Sequence, residues 1–90
     1  MTSSEPRTVR LDSQLRLILP ELTPGSRYRV AGSAVRMVIV PDPESGILVS
    51  AQHRLRIPTS SGSAGEWLEV ELHPSGGIIL WRGAPSFARL

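Results

Sequence analysis

Two ten-residue stretches decide how this chain is read. Leu11-Asp12-Ser13-Gln14-Leu15-Arg16-Leu17-Ile18-Leu19-Pro20 lies without a gap over Val49-Ser50-Ala51-Gln52-His53-Arg54-Leu55-Arg56-Ile57-Pro58. Gln14 matches Gln52, Arg16 matches Arg54, Leu17 matches Leu55 and Pro20 matches Pro58. After a two-residue insertion the register resumes. Gly25-Ser26-Arg27-Tyr28-Arg29-Val30 meets Gly65-Glu66-Trp67-Leu68-Glu69-Val70, and Val38-Ile39-Val40 meets Ile78-Ile79-Leu80. Apolar alternation alone produces coincidences between β-rich segments, but it does not produce matched Gln, Arg, Pro and Gly. The chain therefore reads as two copies of one unit with a period of about 38–40 residues. Units this short cannot each bury a core, so the two are expected to share one.

The same alternation runs outward from the repeat. Val9 and Leu11 flank Arg10, Tyr28 and Val30 flank Arg29, and Leu68, Val70 and Leu72 alternate with Glu69 and Glu71. Val35 to Val40 is nearly continuous apolar sequence broken by Arg36. Strong breakers separate these runs: Thr23-Pro24-Gly25-Ser26, the stretch from Pro41 to Gly46, Thr59 to Gly65, and His73-Pro74-Ser75-Gly76-Gly77. Eight Pro and eight Gly leave no window for a long amphipathic helix. The helical candidates are a turn from Pro20 to Thr23 and the tail from Pro85 to Leu90. Seven or eight short strands predict an all-β fold, a small barrel built from the two units.

The expected organisation is a single domain over residues 1–90. Unit one covers about 8–43 and unit two about 46–85, with tails at 1–7 and 86–90. The expected core is Leu11, Leu17, Leu19, Val30, Val38, Val40, Leu55, Ile57, Val70, Leu72, Ile78 and Leu80. A chain of 90 residues buries only about 60–65% of its unfolded surface, so a partner could complete it.

Absent residue types exclude several chemistries. Without Cys there are no disulfides, cluster ligands or thiol nucleophiles. Without Lys there is no Walker-type phosphate loop and no Schiff base. Ten Arg oppose eight acidic residues for a net charge of +2, split as +3 over residues 1–40 and −1 over residues 41–90. Met1 to Pro6 holds no apolar run, so no signal peptide is expected, and no run approaches the roughly 18 residues of a membrane span. The reading is a cytoplasmic protein with no membrane partner, no small-molecule substrate and no cofactor. His53 and His73 stand 20 residues apart without a ligand cluster around them and read as surface histidines, with no metal site. No nucleophile elbow is present, and the chain is not expected to be an enzyme.

The repeated unit resembles the swapped-hairpin barrel of the AbrB / MazE / SpoVT family. That family's motif runs roughly V-D-x-x-G-R-ϕ-x-ϕ-P, with ϕ aliphatic, and Leu11 to Pro20 carries its Asp, Arg and Pro. Gly25-Ser26 and Gly65-Glu66 correspond to the family's Gly-Asp step, and Glu66 to Leu80 to its closing hairpin. The sequence departs from the pattern where the Gly before the Arg is Leu15 in one unit and His53 in the other, and where the family's short helix has no room between Pro20 and Gly25. The resemblance implies a homodimer mimicked within one chain. It also implies DNA contact through Arg residues of this region.

Arg10, Arg16, Arg54 and Arg56 are accordingly the candidate DNA-binding residues, since Arg forks match phosphate oxygens and guanine edges. The same residues also suit solvated strand faces. Trp67 and Trp81 fall out of phase with the core positions around them. They are candidate protein-interface residues, able to pair across one hairpin or to be covered by the tail around Phe87. Two functions stay open. One is a non-catalytic DNA-binding transcription regulator or antitoxin of the AbrB type. The other is a protein-interaction or assembly subunit, a self-associating β module that binds no nucleic acid. A homo-oligomer or a protein partner is expected in either case.

Overall fold

The computed structural model describes residues 7–82. Eight strands form: β1 (Arg7–Arg10), β2 (Arg16–Ile18), β3 (Arg27–Gly32), β4 (Arg36–Pro41), β5 (Ile47–Leu48), β6 (Arg54–Arg56), β7 (Trp67–Leu72) and β8 (Ile78–Arg82). The fold is all-β. Among the described residues there is no helix, and so none long and apolar enough to cross a membrane. The stretch from Pro20 to Thr23 is a turn, tied by the Leu22 N–H donating to the Leu19 carbonyl at 3.1 Å. The helical candidate from Pro85 to Leu90 lies outside the described residues.

Six strands make one antiparallel sheet in the order β1-β7-β8-β4-β3-β5, and β2 pairs with β6 in a separate ribbon. Where a small barrel is expected, the ladders leave two sheets and do not close. The repeat explains the strand order. Exchanging β1 with β5, β7 with β3 and β8 with β4 returns the same sheet, and exchanging β2 with β6 returns the same ribbon. The exchange is a pseudo-two-fold rotation whose axis passes between β4 and β8 and through the Leu17–Leu55 pair of the ribbon.

Loop hydrogen bonds repeat across this axis. Leu11 N–H donates to Glu66 at 3.0 Å, and Val49 N–H to Ser26 at 2.9 Å. Leu19 N–H donates to His53 at 3.2 Å, and Ile57 N–H to Leu15 at 2.8 Å. One expected match shifts. Val30 opposes Ile39 and Val70 opposes Leu80, so Ile39 corresponds to Leu80 rather than to Ile79. Five residues (73–77) lie between the last registered pair of the β7–β8 hairpin, Leu72–Ile78, and four (33–36) between that of the β3–β4 hairpin, Gly32–Met37, which displaces the alignment by one.

The turns entering β2 and β6 are also equivalent. Leu15 N–H donates to Asp12 and His53 N–H to Ser50, and both Leu15 and His53 have a φ of 62°. These are left-handed residues that lack glycine's freedom, at a cost of roughly 1–2 kcal/mol each. The expected consequence is an inverted ranking. Leu15→Gly should be about 1 kcal/mol more stable than Leu15→Ala, the reverse of the order inside a strand. Urea midpoints of the two variants check it; Ala at or above Gly would mean the left-handed turn does not persist in solution.

The core lies between the inner face of the large sheet and the ribbon. Leu11, Leu17, Leu19, Leu55, Ile57, Ile78 and Leu80 are buried there as expected, joined by Leu22, Tyr28, Met37, Ile39, Val49 and Leu68. Val30 and Val70 are half-buried against it. Three expectations fail. Val38 and Val40 face outward and are only half-buried, because Met37 and Ile39 take the inward phase of β4. Leu72, at the hairpin end of β7, is 53% exposed; β1 flanks β7 only from Trp67 to Val70, so among the described residues no strand lies beside it on that edge.

Candidate nucleic-acid interface

The ribbon turns Leu17 and Leu55 into the core, so its alternate residues face away from the large sheet. Those residues are Arg16, Ile18, Arg54 and Arg56. Arg16 stands directly opposite Arg56, and Ile18 opposite Arg54. Three of the four candidate arginines thus share one outward face beside the pseudo-axis. Like charges directly opposite one another destabilise a strand pair, so this face carries an electrostatic cost that an anion would remove.

The symmetry breaks at the two turns that support these arginines. Asp12 Oδ1 accepts the Gln14 and Arg16 amides, each at 2.8 Å, and Oδ2 accepts Arg16 Nε at 2.8 Å. The Arg16 amide, together with the Arg16 guanidinium and the Gln14 amide, holds the Asp12 carboxyl below the usual carboxylate range. In the second unit Ser50 replaces the Asp. Its Oγ accepts the Gln52 and Arg54 amides at 3.3 Å, which keeps the turn, but it brings no carboxylate to Arg54. Arg54 Nε is buried with no hydrogen-bond partner. Sequence reading missed both Asp12 and Ser50. The Asp four residues before Arg16 was the signal for the first.

Arg10 lies elsewhere. It sits on the outer face of β1, opposite Trp67, with its guanidinium 5.6 Å from that ring's centroid and Nε donating to the Gly65 carbonyl at 3.3 Å. Trp67 is 52% exposed, as its phase predicts. Trp81 also faces outward and is half-buried. The register sets Trp81 opposite Glu69 and Arg36, not opposite Trp67. Each Trp is covered by a cross-strand Arg instead, since the Arg36 guanidinium lies 5.5 Å from the Trp81 ring. Trp81 Nε1–H donates to Glu71 at 2.7 Å. Phe87 lies outside the described residues.

Compared with protein families, curated proteins and solved structures, the chain finds no match. The site therefore has to be judged on its own geometry. His53 is half-buried rather than on the surface, its Nδ1–H donating to the Leu22 carbonyl at 2.8 Å. It fixes the loop beneath the ribbon. His73 is exposed, with Nδ1 2.8 Å from Ser75 Oγ. Arg82 ties three loops together from the inner side of β8. It donates to Glu66 at 2.7 Å, to the Ser33 carbonyl at 2.7 Å and to the Ser61 carbonyl. Arg7 pairs with Glu21 at 2.8 Å and holds that carboxyl below its usual range. These two arginines are satisfied within the fold, unlike Arg54.

Proposed function

We propose that the chain is a non-catalytic DNA-binding protein that lays the outward face of its β2–β6 ribbon on the phosphate backbone. The observation that carries this reading is the grouping of Arg16, Arg54 and Arg56 on one face, with one carboxylate among three guanidiniums. A two-stranded ribbon fits a DNA groove, and Arg binds phosphate through two parallel donors. The resemblance to AbrB-type regulators and antitoxins gains support from Leu15 and His53, which take a left-handed backbone at the positions where that family's motif has Gly. The small barrel of that family is the finer architecture we infer. The six-stranded sheet would be its curved wall and the ribbon its lid.

The test is a titration against labelled duplex DNA, including the chain's own upstream region, at two salt concentrations. Binding should weaken steeply as salt rises, with the upstream fragment preferred at both concentrations. Arg54→Ala and Arg56→Ala should each lower affinity about tenfold and reduce the salt slope by about one. No binding at low salt, or binding unchanged in both variants, overturns the assignment.

A further inference from the structure

The outer face of the six-stranded sheet points away from the ribbon and is covered by nothing among the described residues. Its centre is apolar: Val38 on β4 stands opposite Ile79 on β8, close to the pseudo-axis. Its flanks are not equivalent. On one side β3 presents Arg27 and Arg29; at the corresponding distance on the other side β7 presents Glu69 and Glu71. The pseudo-symmetry that makes the backbone alike thus sets a basic strand against an acidic one.

We propose that this face binds a second copy of the chain, face to face, about a two-fold axis that runs parallel to the strands over the Val38–Ile79 pair. Such an axis reverses left and right. It lays β7 of each protomer on β3 of its partner and the apolar centres on each other. Position along the strands is kept, so Glu71 falls over Ala31, two residues from Arg29, and Glu69 falls beside Arg36 on the neighbouring strand. A contact of this kind is isologous and self-complementary, which is what a closed dimer needs. The cation–π stack of Arg36 on Trp81 fixes one of the large side chains at the contact before association. Strands spaced about 4.8 Å apart, with about 3.3 Å per residue, give a face of roughly 450 Å². Two such faces bury about 900 Å², the size of a weak, reversible interface, so dissociation in the micromolar range is expected. The proposal stands apart from the DNA reading, because it uses the opposite side of the molecule.

Sedimentation equilibrium on the intact chain tests it, from about 1 to 200 μM protein at low salt. A dimer should form across that range. Arg29→Glu alone should be monomeric, because it sets Glu beside the partner's Glu71. Glu71→Arg alone should be monomeric for the mirror reason. An equimolar mixture of the two variants should associate again, since each heterodimer restores opposite charges on both flanks. Both substitutions fall on exposed side chains, and melting temperatures close to the parent's show that each variant folds. A parent chain that stays monomeric throughout overturns the proposal and leaves the face to another occupant, the chain's own ends included. A dimer indifferent to both reversals, or a mixture that stays monomeric, also overturns it.

Discussion

Leu55→Ala should lower the unfolding free energy by about 3–4 kcal/mol. Leu55 is fully buried and stands opposite Leu17 where the pseudo-axis crosses the ribbon. Truncation loses the transfer free energy of the side chain and leaves a cavity, and the series of buried Leu→Ala changes spans roughly 2–5 kcal/mol. The upper half of that range applies here because relaxation is restricted. Each ribbon strand has only three residues, and both of its turns are pinned by paired backbone hydrogen bonds to the other unit. A chain of this length has a total stability of roughly 5–13 kcal/mol, so the variant would lose a large part of it. Leu17→Ala should cost about the same by symmetry. Urea unfolding should show the midpoint falling with the slope unchanged. A loss below about 1 kcal/mol would mean the ribbon is not docked in solution, and the arginine face would then have no fixed geometry.

The strands were legible because the alternation of apolar and polar residues is clear in β3 and β7, and its phase correctly turned Leu68 inward and Trp67 outward. In β4 the same rule had nothing to choose with. Met37, Val38, Ile39 and Val40 are all apolar, and both phases of the strand read alike. The repeat could have chosen, since Ile39 matches the buried Leu80, but only if the second hairpin turn is given its extra residue. Leu15 and His53 could not be read as left-handed from their own side chains, because Leu disfavours that region and His, though enriched there, adopts it in only a minority of cases. The turn is imposed by Asp12 and Ser50 on one side and by the β2–β6 pairing on the other. For the candidate site, the pairing of Arg16 with Arg54 in the repeat was legible. That Arg56 faces Arg16 was not, because cross-strand neighbours follow from register, and register needs the whole sheet.

Gly46→Ala should cost about 3 kcal/mol or more, although the substitution adds one methyl group. The reason lies in how one unit is joined to the next. β4 and β5 both pair with β3, one on each side, and both Pro41 and Ile47 oppose Tyr28. The chain leaves β4 and must cross β3 to start β5 with only residues 42–46 between them. It does so at contact distance. A Cβ on Gly46 would stand 2.5 Å from the Tyr28 amide nitrogen, 2.7 Å from the Asp42 carbonyl oxygen and 2.8 Å from the Tyr28 carbonyl carbon. All three are backbone atoms, those of Tyr28 held by the β3–β4 and β3–β5 ladders and Asp42 tied to β3 by its N–H donating to the Arg27 carbonyl at 2.9 Å, so no rotamer change relieves the clash. Gly62 is the control. There a Cβ meets Leu11 Cδ1 at 2.8 Å and Met37 Cε at 3.2 Å, the ends of side chains that can turn aside. Gly62→Ala should therefore cost less than Gly46→Ala, by at least about 1 kcal/mol. Thermal melts of the two variants decide it. If Gly46→Ala is the milder change, the crossing over β3 is looser than described, and the tie between the two units runs through the ribbon alone.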